Sequence, residues 1–207
     1  PVGLAGPGWT LSGFSTIDRQ SSFLGLPQYT ANDRFLLDGQ DLISCVGPGS
    51  GSPGCALGGT HATKIETFAR IVKASDVYTV CKQGVCSTYK PIICTPSGVA
   101  RWGISTVSDT LGHTTTYTWN TSSSCTGIPA NDVARFAYPQ SVSYNGGKYT
   151  ATVYYENSLR SFPHATGKGD ITLSKRIRSI DVKVLGARNS AYALTYLAGS
   201  DVLSKIQ

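Results

Sequence analysis

The chain contains 207 residues with a formal net charge of +6, and charged residues make up 14% of it against 40% hydrophobic ones. This composition excludes a disordered chain, and no apolar run is long enough for a transmembrane helix. The length fits one domain with a substantial core. The densest basic run, Lys168–Arg178, predicts a solvated strand face or, as the alternative, a surface for an anionic partner.

Short runs rich in Thr, Ser, Tyr, Val and Ile alternate with turn residues, and helical periodicity is almost missing. Asp38-Gly39 is a hairpin-turn signal, and Asn145-Gly146-Gly147 is the strongest one in the chain. The Gly- and Ser-rich stretch 47–59 predicts a loop. The predicted strands are 9–17, 35–37, 42–44, 63–73, 77–80, 85–89, 99–109, 113–120, 141–144, 149–155, 176–185, 191–196 and 202–206. We therefore expect an all-β fold of consecutive antiparallel hairpins, arranged as a sandwich or a curved sheet.

Six cysteines are present, and none of their spacings is C-x-x-C, which argues against a zinc ribbon. Their even number and their place in loops rich in Gly, Ser, Thr and Pro favour disulfides over buried thiols. Disulfides indicate an oxidising compartment, so we expect a secreted or cell-surface protein. Many pairings are open, and we favour the one that closes the shortest loops. It joins Cys45 to Cys55, Cys81 to Cys86 and Cys94 to Cys125.

Residues that carry chemistry are few. The histidines stand at no metal-ligand spacing, and neither a nucleophile elbow nor a phosphate-binding loop is present. We therefore predict no catalytic, cofactor-binding or metal-binding residue, and we expect each histidine to be replaceable singly: His61, His113 and His164. Two alternatives stay open, a Ca²⁺ site formed by Asp33, Asp38 and Asp41, and a glycosidase pair formed by Asp109 and Glu156.

Tyrosine is the most frequent aromatic residue, with 11 copies. Cross-strand packing is the simpler interpretation of those on neighbouring predicted strands, and an exposed stripe that stacks on sugars is the alternative. These tyrosines are Tyr144, Tyr149, Tyr154, Tyr155, Tyr192 and Tyr196. We expect Trp9, Trp102 and Trp119 to lie in the core. Asn120-Thr121-Ser122 is a sequon, which makes Asn120 a candidate glycosylation site in a eukaryotic secretory route.

Three motifs, in this order along the chain, resemble one known family. They are G-W-x-L-x-G at 8–13, F-L-L-D-G-x-D-L at 35–42 and D-x-L-G-H-x-T-x-Y-x-W at 109–119. Together with further matches over nearly the whole chain, they resemble the N-terminal domain of the plasmid virulence protein B family. The same domain opens the B components of insecticidal toxin complexes and many Rhs (YD-repeat) proteins. The third motif resembles a degenerate YD-type unit, with His113 where such repeats usually carry Asn or Arg.

The resemblance implies a non-enzymatic module, because catalysis in that family belongs to separate C-terminal toxin domains. It implies the first segment of an Rhs-like curved β-sheet shell, and the six cysteines suggest an exported relative. We therefore predict a structural module that assembles with the rest of its parent polypeptide or with other copies of itself. The alternatives are a secreted module that binds glycans or a cell surface through tyrosines, and a secreted hydrolase with an unrecognised site. We expect no cofactor and no nucleic-acid partner.

The predicted sheet has two unprotected edges. The segment 4–17 lacks a strand before it, and the strand 202–206 has no partner hairpin after it. Neither edge carries the proline or inward charge that protects natural edges, and Lys205 is a weak block. Methionine is absent and the first residue is Pro1. We therefore expect residues 1–207 to form one β-rich domain, processed from a longer chain, that does not function as an isolated monomer.

Overall fold

The structure is a computed structural model that describes residues 2–47, 50–120 and 136–207. These residues form an all-β fold with one short helix, α1 (Pro53–Ala56), so no described helix could cross a membrane. The predicted fold class is confirmed. The strands are β1 (Val2–Gly3), β2 (Gly6–Pro7), β3 (Thr16–Gln20), β4 (Arg34–Leu37), β5 (Gln40–Ser44), β6 (His61–Thr63), β7 (Arg70–Ala74), β8 (Val77–Lys82), β9 (Val85–Thr95), β10 (Gly98–Ser108), β11 (Thr114–Asn120), β12 (Tyr138–Tyr144), β13 (Tyr149–Ala165), β14 (Asp170–Val184), β15 (Ala187–Tyr196) and β16 (Leu203–Ile206).

Eight consecutive strands, β3 to β10, form a closed antiparallel barrel. Each strand pairs with the next, and the ring closes because β10 pairs with β9 along one edge and with β3 along the other. The pairing with β3 uses Arg101–Gly103, and further along the same edge Thr106–Ser108 pair with β11. Strand β10 therefore belongs to the barrel by its first half and leads out of it by its second half.

The remaining strands, β11 to β16, form an open antiparallel sheet, here called the extension sheet. Its strands lie side by side in chain order, and β13 and β14 are the longest, with 17 and 15 residues. Two turns that the sequence predicts are present: Asp38-Gly39 joins β4 to β5, and Asn145-Gly146 lies between β12 and β13. All four of these residues have positive φ; Asp38-Gly39 is a two-residue hairpin turn, whereas Asn145-Gly146 opens a four-residue connection between Tyr144 and Tyr149.

Aromatic side chains fill the barrel. Trp102 is 1% exposed and Tyr78 is fully buried, and their ring centroids lie 5.2 Å apart in an edge-to-face arrangement. Phe35 packs against both rings, and the Lys73 ammonium lies 4.6 Å from the centre of the Phe35 ring. Burial of such rings is the largest contribution that single side chains make to a core. The barrel therefore has a packed interior, and Trp102 lies in the core as the sequence predicts.

The extension sheet packs against the outside of the barrel. A second buried cluster joins β9 and β10 to the start of β14, and its members are Ile92, Ile93, Ala100, Ala137 and Ile171. The loop between β13 and β14 is fixed by the Tyr29 hydroxyl, which donates to the Thr166 carbonyl at 2.8 Å. Gly167 approaches so closely that a Cβ there would lie 2.0 Å from the Pro27 carbonyl oxygen. These contacts fix the two parts against each other.

The strand predicted over 9–17 is wrong for most of its length, because β3 begins only at Thr16. Instead, Leu4, Ala5 and Leu11 pack on the extension sheet, and the Leu4 carbonyl accepts a hydrogen bond from the Ile177 amide at 2.8 Å. The alternation of large and small residues thus reflects docking onto a sheet face. The prediction that Trp9 lies in the core is also wrong, since Trp9 is 50% exposed.

The first of the two predicted edges is not an edge. Strand β3 has β4 on one side and β10 on the other. The predicted strand 63–73 is divided as well, because β6 ends at Thr63 and β7 begins at Arg70. Closure of the barrel explains why β3 is not an edge strand, and the local sequence pattern does not encode this closure.

Two disulfides close short loops. Cys45 is bonded to Cys55 with a Cα–Cα distance of 5.4 Å, and Cys81 is bonded to Cys86 across the β8–β9 hairpin at 4.1 Å. Both are shortest-loop pairings. The third predicted pairing stays a prediction, because Cys125 lies outside the described residues. The sequon is described only at its first residue, Asn120, which is exposed at the end of β11.

Candidate assembly surface

The outer side of β16 is an open strand edge. Gln207 and Ala193 exchange both backbone hydrogen bonds, at 2.8 and 3.1 Å. Because the direction of backbone groups alternates along an antiparallel pair, Lys205 faces β15 and Ile206 directs its N–H and C=O groups outwards, whereas Ser204 lies where β16 shifts register against β15. No strand in the described part of the chain lies on that side. Such an edge is a template for another strand.

The turn before β16 is held by a buried carboxylate. Asp201 is 7% exposed and accepts hydrogen bonds from the backbone amides of Leu159 at 2.9 Å and Arg160 at 3.1 Å. The Arg176 guanidinium donates to the same carboxylate at 3.0 Å. Gly6 leaves the room that this turn needs, because a Cβ there would lie 2.1 Å from the Asp201 carbonyl oxygen. Strand β16 therefore starts from a fixed point.

Arg176 and Tyr196 connect β16 to the centre of the extension sheet. Arg176 also pairs with Glu156 at 2.7 Å, and its guanidinium lies 3.9 Å from the centre of the Tyr196 ring. The Tyr196 hydroxyl donates to the Ile177 carbonyl at 2.5 Å. Burial is the main cause that raises the pKa of Tyr196 to about 12, so this hydroxyl keeps its proton at physiological pH.

The tyrosines singled out in the sequence do not form one stripe. Tyr144, Tyr149 and Tyr192 are exposed on one face of the extension sheet, and the register places the exposed Tyr154 on the opposite face. Tyr144 and Tyr149 form a pair with ring centroids 6.0 Å apart. Tyr155 and Tyr196 are partly buried, and the Tyr155 hydroxyl donates to the Pro139 carbonyl. Cross-strand packing accounts for the Tyr144–Tyr149 pair.

The three acids proposed for Ca²⁺ each have protein partners. Asp33 pairs with Arg19 at 2.6 Å, Asp41 pairs with Arg34, and Asp38 accepts from the Ser15 hydroxyl and the Thr16 amide. Across the described ranges, no three His, Cys, Asp or Glu side chains gather in a group that could hold a metal ion. Ion pairing and turn closure account for the presence of these three acids.

The two acids proposed as a glycosidase pair lie on different elements. Asp109 closes the turn between β10 and β11, where it accepts from the His113 ring at 2.8 Å and from the backbone amides of Leu111 and His113. The hydrogen bond from the His113 side chain is the main cause that lowers the pKa of Asp109. Glu156 lies on β13 against Arg176. The two carboxylates share no hydrogen-bond partner.

A pocket of about 610 Å³ lies where the barrel meets the extension sheet. Its polar lining includes the ion pair of Arg101 with Asp18, and His164, whose pKa is lowered by burial and then by Arg101. Its apolar lining comes from both parts, with Ile93 on β9 and Leu173 on β14. His61 lies apart from this pocket, edge-on to Tyr78 in the barrel. The structure thus keeps the three histidines on separate elements.

Sequence reasoning missed the buried ion pairs. Asp181 is 4% exposed and accepts from Arg188 at 2.7 Å, and Asp33 and Asp201 are buried in similar pairs. No local signal marks Asp181, because an acid between the apolar neighbours Ile180 and Val182 is the usual pattern of a strand with one exposed face.

Comparisons with known proteins identify the fold. No family model and no curated protein sequence matches the chain. The N-terminal domain of the effector protein SpvB from Salmonella typhimurium strain LT2 has a TM-score of 0.74 at 16% identity, over 99% of this chain and 90% of that one. The TcdB2-TccC3 structure has a TM-score of 0.68 at 16% identity, over 93% of this chain and 13% of that one. A Photorhabdus luminescens Tc holotoxin pore structure gives the same TM-score and coverage at 18% identity. The resemblance read from the motifs is confirmed at the level of the fold.

Proposed function

We propose that this chain is a non-enzymatic structural module of an exported, toxin-type assembly, and that it joins neighbouring polypeptide by strand addition at β16. The observation that carries the proposal is the open edge of β16, where the backbone groups of Ile206 point away from the sheet. Strand addition uses main-chain hydrogen bonds and needs no large apolar patch. The fixed turn at Asp201 supports it, because a preorganised edge loses less entropy on pairing.

The structural neighbours support a role inside a larger assembly. In the Tc structures the same fold covers only 13% of a chain that carries further polypeptide. The two disulfides of the described residues fit an oxidising compartment, which agrees with export. The acids and histidines considered for catalysis are engaged in turns, ion pairs and ring packing, which favours a structural role.

The test replaces a single outward-facing backbone N–H. In Ile206→Pro the ring removes the donor on the open side of β16, while the hydrogen bonds of Lys205 and Gln207 to β15 stay. Ile206→Ala keeps the N–H and is the matched control. In sedimentation velocity at micromolar concentration, we expect the wild type and Ile206→Ala to assemble and Ile206→Pro to remain monomeric.

Two results would contradict the proposal. One is a wild-type chain that sediments as a monomer at every concentration. The other is an Ile206→Pro variant that assembles as well as Ile206→Ala. Circular dichroism of each variant checks that the fold is retained, so that a change in assembly reports on the edge itself.

A further inference from the structure

Positive charge is concentrated in the extension sheet. Residues 136–207 carry nine Lys and Arg against four Asp and Glu, whereas residues 2–120 carry eight against seven. Ion pairs engage Arg176 and Arg188 within the extension sheet. The remaining basic side chains of residues 136–207 form no ion pair with a described residue. This excess of positive charge produces an electrostatic potential that attracts anionic partners.

One face of β13, β14 and β15 brings several of these side chains together. The register places Tyr154 opposite Ser179 and Lys183 opposite Arg188, and Asp181 lies on the same face because it is two residues from Lys183. Like charges directly opposite each other on neighbouring strands destabilise a sheet. The Lys183–Arg188 pair therefore costs stability unless an anion lies between or above the two side chains.

The local acid does not balance this face. Asp181 is almost fully buried and accepts a hydrogen bond from Arg188, which orients the guanidinium while leaving 65% of its side chain exposed. Arg178, at the irregularity where β14 shifts register against β13, adds a third cation. Neither Arg178 nor Lys183 has an ion-pair partner among the described residues. Three cations thus stand against one carboxylate.

A hollow of about 340 Å³ lies on this face, and Lys183 stands outside its lining, opposite Arg188 on the neighbouring strand. The hollow is open to solvent, and its lining residues are Tyr154, Tyr155, Arg178, Ser179, Asp181 and Arg188. Tyr154 is 42% exposed and offers both a ring face and a hydroxyl. Guanidinium groups bind carboxylates through two parallel hydrogen bonds, and an exposed tyrosine ring covers the aliphatic stem of a neighbouring side chain.

We propose that this face of the extension sheet binds an acidic segment of polypeptide, whose carboxylates are received by Arg178, Lys183 and Arg188. The cations are spread over two strands, which matches several carboxylates carried on one chain better than a single small anion. The inference goes beyond strand addition, because it uses a sheet face and not the free edge of β16. The Lys168–Arg178 run contributes one residue, Arg178, to this surface.

The test measures binding of a fluorescein-labelled peptide of alternating Glu and Gly residues by fluorescence anisotropy at low salt. The double variant Arg178→Gln/Lys183→Gln removes two cations of the face and leaves the Arg188–Asp181 pair intact. The control Lys82→Gln/Lys90→Gln removes two exposed barrel lysines, so it changes the net charge equally. We expect the first variant to weaken binding about tenfold or more and the control about twofold or less.

Three outcomes would overturn the proposal. The first is no binding of the peptide by the wild type, and the second is equal weakening by the two double variants, which would indicate a diffuse charge effect. The third is binding of a heparin oligosaccharide through Arg178 and Lys183 without binding of the peptide, which would assign the face to an anionic glycan. Ile206→Pro is expected to bind the peptide as the wild type does, so failure of the edge proposal and failure of this one are distinguishable.

Discussion

The barrel and the extension sheet are built from the same kind of antiparallel hairpin, yet they differ in how their strands end. Every barrel strand lies between two others, so backbone groups there are paired within the chain. The extension sheet leaves the outer side of β16 open. Closure removes edges, and an open sheet keeps one available. We therefore propose that the barrel serves as the scaffold and that the extension sheet is the part that meets other molecules.

The two parts also differ in charge and in the surroundings of their aromatic rings. Barrel residues carry nearly equal numbers of acids and bases, and rings such as Trp102 and Tyr78 face inwards. The extension sheet is basic, and Tyr144, Tyr149 and Tyr192 remain exposed. Strand β10 belongs to both parts, because it pairs with β3 in the barrel and with β11 in the extension sheet.

The largest expected effect on the free energy of unfolding distinguishes the buried aromatic residues of the barrel from the exposed ones of the extension sheet. Trp102→Ala should lower the free energy of unfolding by about 4 kcal/mol, because it opens a cavity in the barrel and removes the hydrogen bond from Nε1 to the Asp76 carbonyl. Tyr192→Ala, on the extension sheet, should cost about 1 kcal/mol or less. Urea unfolding measures both. Equal costs would contradict the division into a scaffold and an exposed sheet.

A buried ion pair fixes the loop that faces the extension sheet. Asp33→Asn should cost about 3 kcal/mol, because it leaves the charge of Arg19 without its partner. Burial raises the pKa of Asp33, but hydrogen bonds from Arg19 and from the amides of Gln28 and Tyr29 outweigh it, so the pKa is lowered on folding. This stability is present above about pH 4 and is lost as the pH falls through the lowered pKa.

The acid dependence gives the matching measurement for Asp33. Urea unfolding at a series of pH values between neutral and acidic should show that the Asp33→Asn variant loses less stability on acidification than the wild type. The exposed Asp170→Asn, on β14, is the control and should follow the wild type. A wild-type acid profile in Asp33→Asn would show that Asp33 does not stabilise the loop through its charge.

Disulfide removal should affect the barrel by an intermediate amount. The double variant Cys45→Ala/Cys55→Ala should lose about 3 kcal/mol and Cys81→Ala/Cys86→Ala about 2 kcal/mol, because the first bridge spans 10 residues and the second spans 5. Denaturant unfolding of both variants checks the order. Thiol titration of the denatured, unreduced wild type should find no free thiol. Two or more free thiols would contradict the three predicted disulfides.

The smallest expected effect is a pH dependence at His61. Burial, followed by repulsion from Lys73, lowers the pKa of His61, so the unfolded chain takes up its proton first as the pH falls. Stability should therefore decrease by about 1 kcal/mol or less as the pH drops below about 6.5. His61→Gln should remove this loss, and Lys73→Gln should reduce it. Profiles between pH 7.5 and 5 that coincide for all three proteins would contradict the assignment.

Local signals in the sequence identify the hairpins but not the closure of the barrel. Asp38-Gly39 and Asn145-Gly146 fix their turns through their own backbone preferences. The β3–β10 pairing instead joins Ile17 to Trp102, which are far apart in sequence, so no local pattern reports it. The packing of Leu4 and Leu11 on the extension sheet also depends on residues far along the chain. The segment that contains them therefore resembles a strand in the sequence.

One part of the candidate assembly surface can be predicted from the sequence, and the other part cannot. The open edge at β16 follows from a run without proline or inward charge, which the sequence displays directly. The basic face around Arg178 cannot be recognised from the sequence, because its residues meet only when β13, β14 and β15 are in register. The Lys168–Arg178 run indicates charge, whereas Lys183 and Arg188 join the surface through pairing.

Hydrogen exchange at β16 tests the account most directly. The exchange rate of the Ile206 amide is measured at increasing concentrations of the 207-residue chain, with the Trp102 amide of the barrel as the internal reference. The account predicts fast exchange of the Ile206 amide in dilute solution, its protection as assembly proceeds, and slow exchange of Trp102 throughout. Exchange of Ile206 that stays fast at concentrations where the chain is assembled would contradict pairing through this edge.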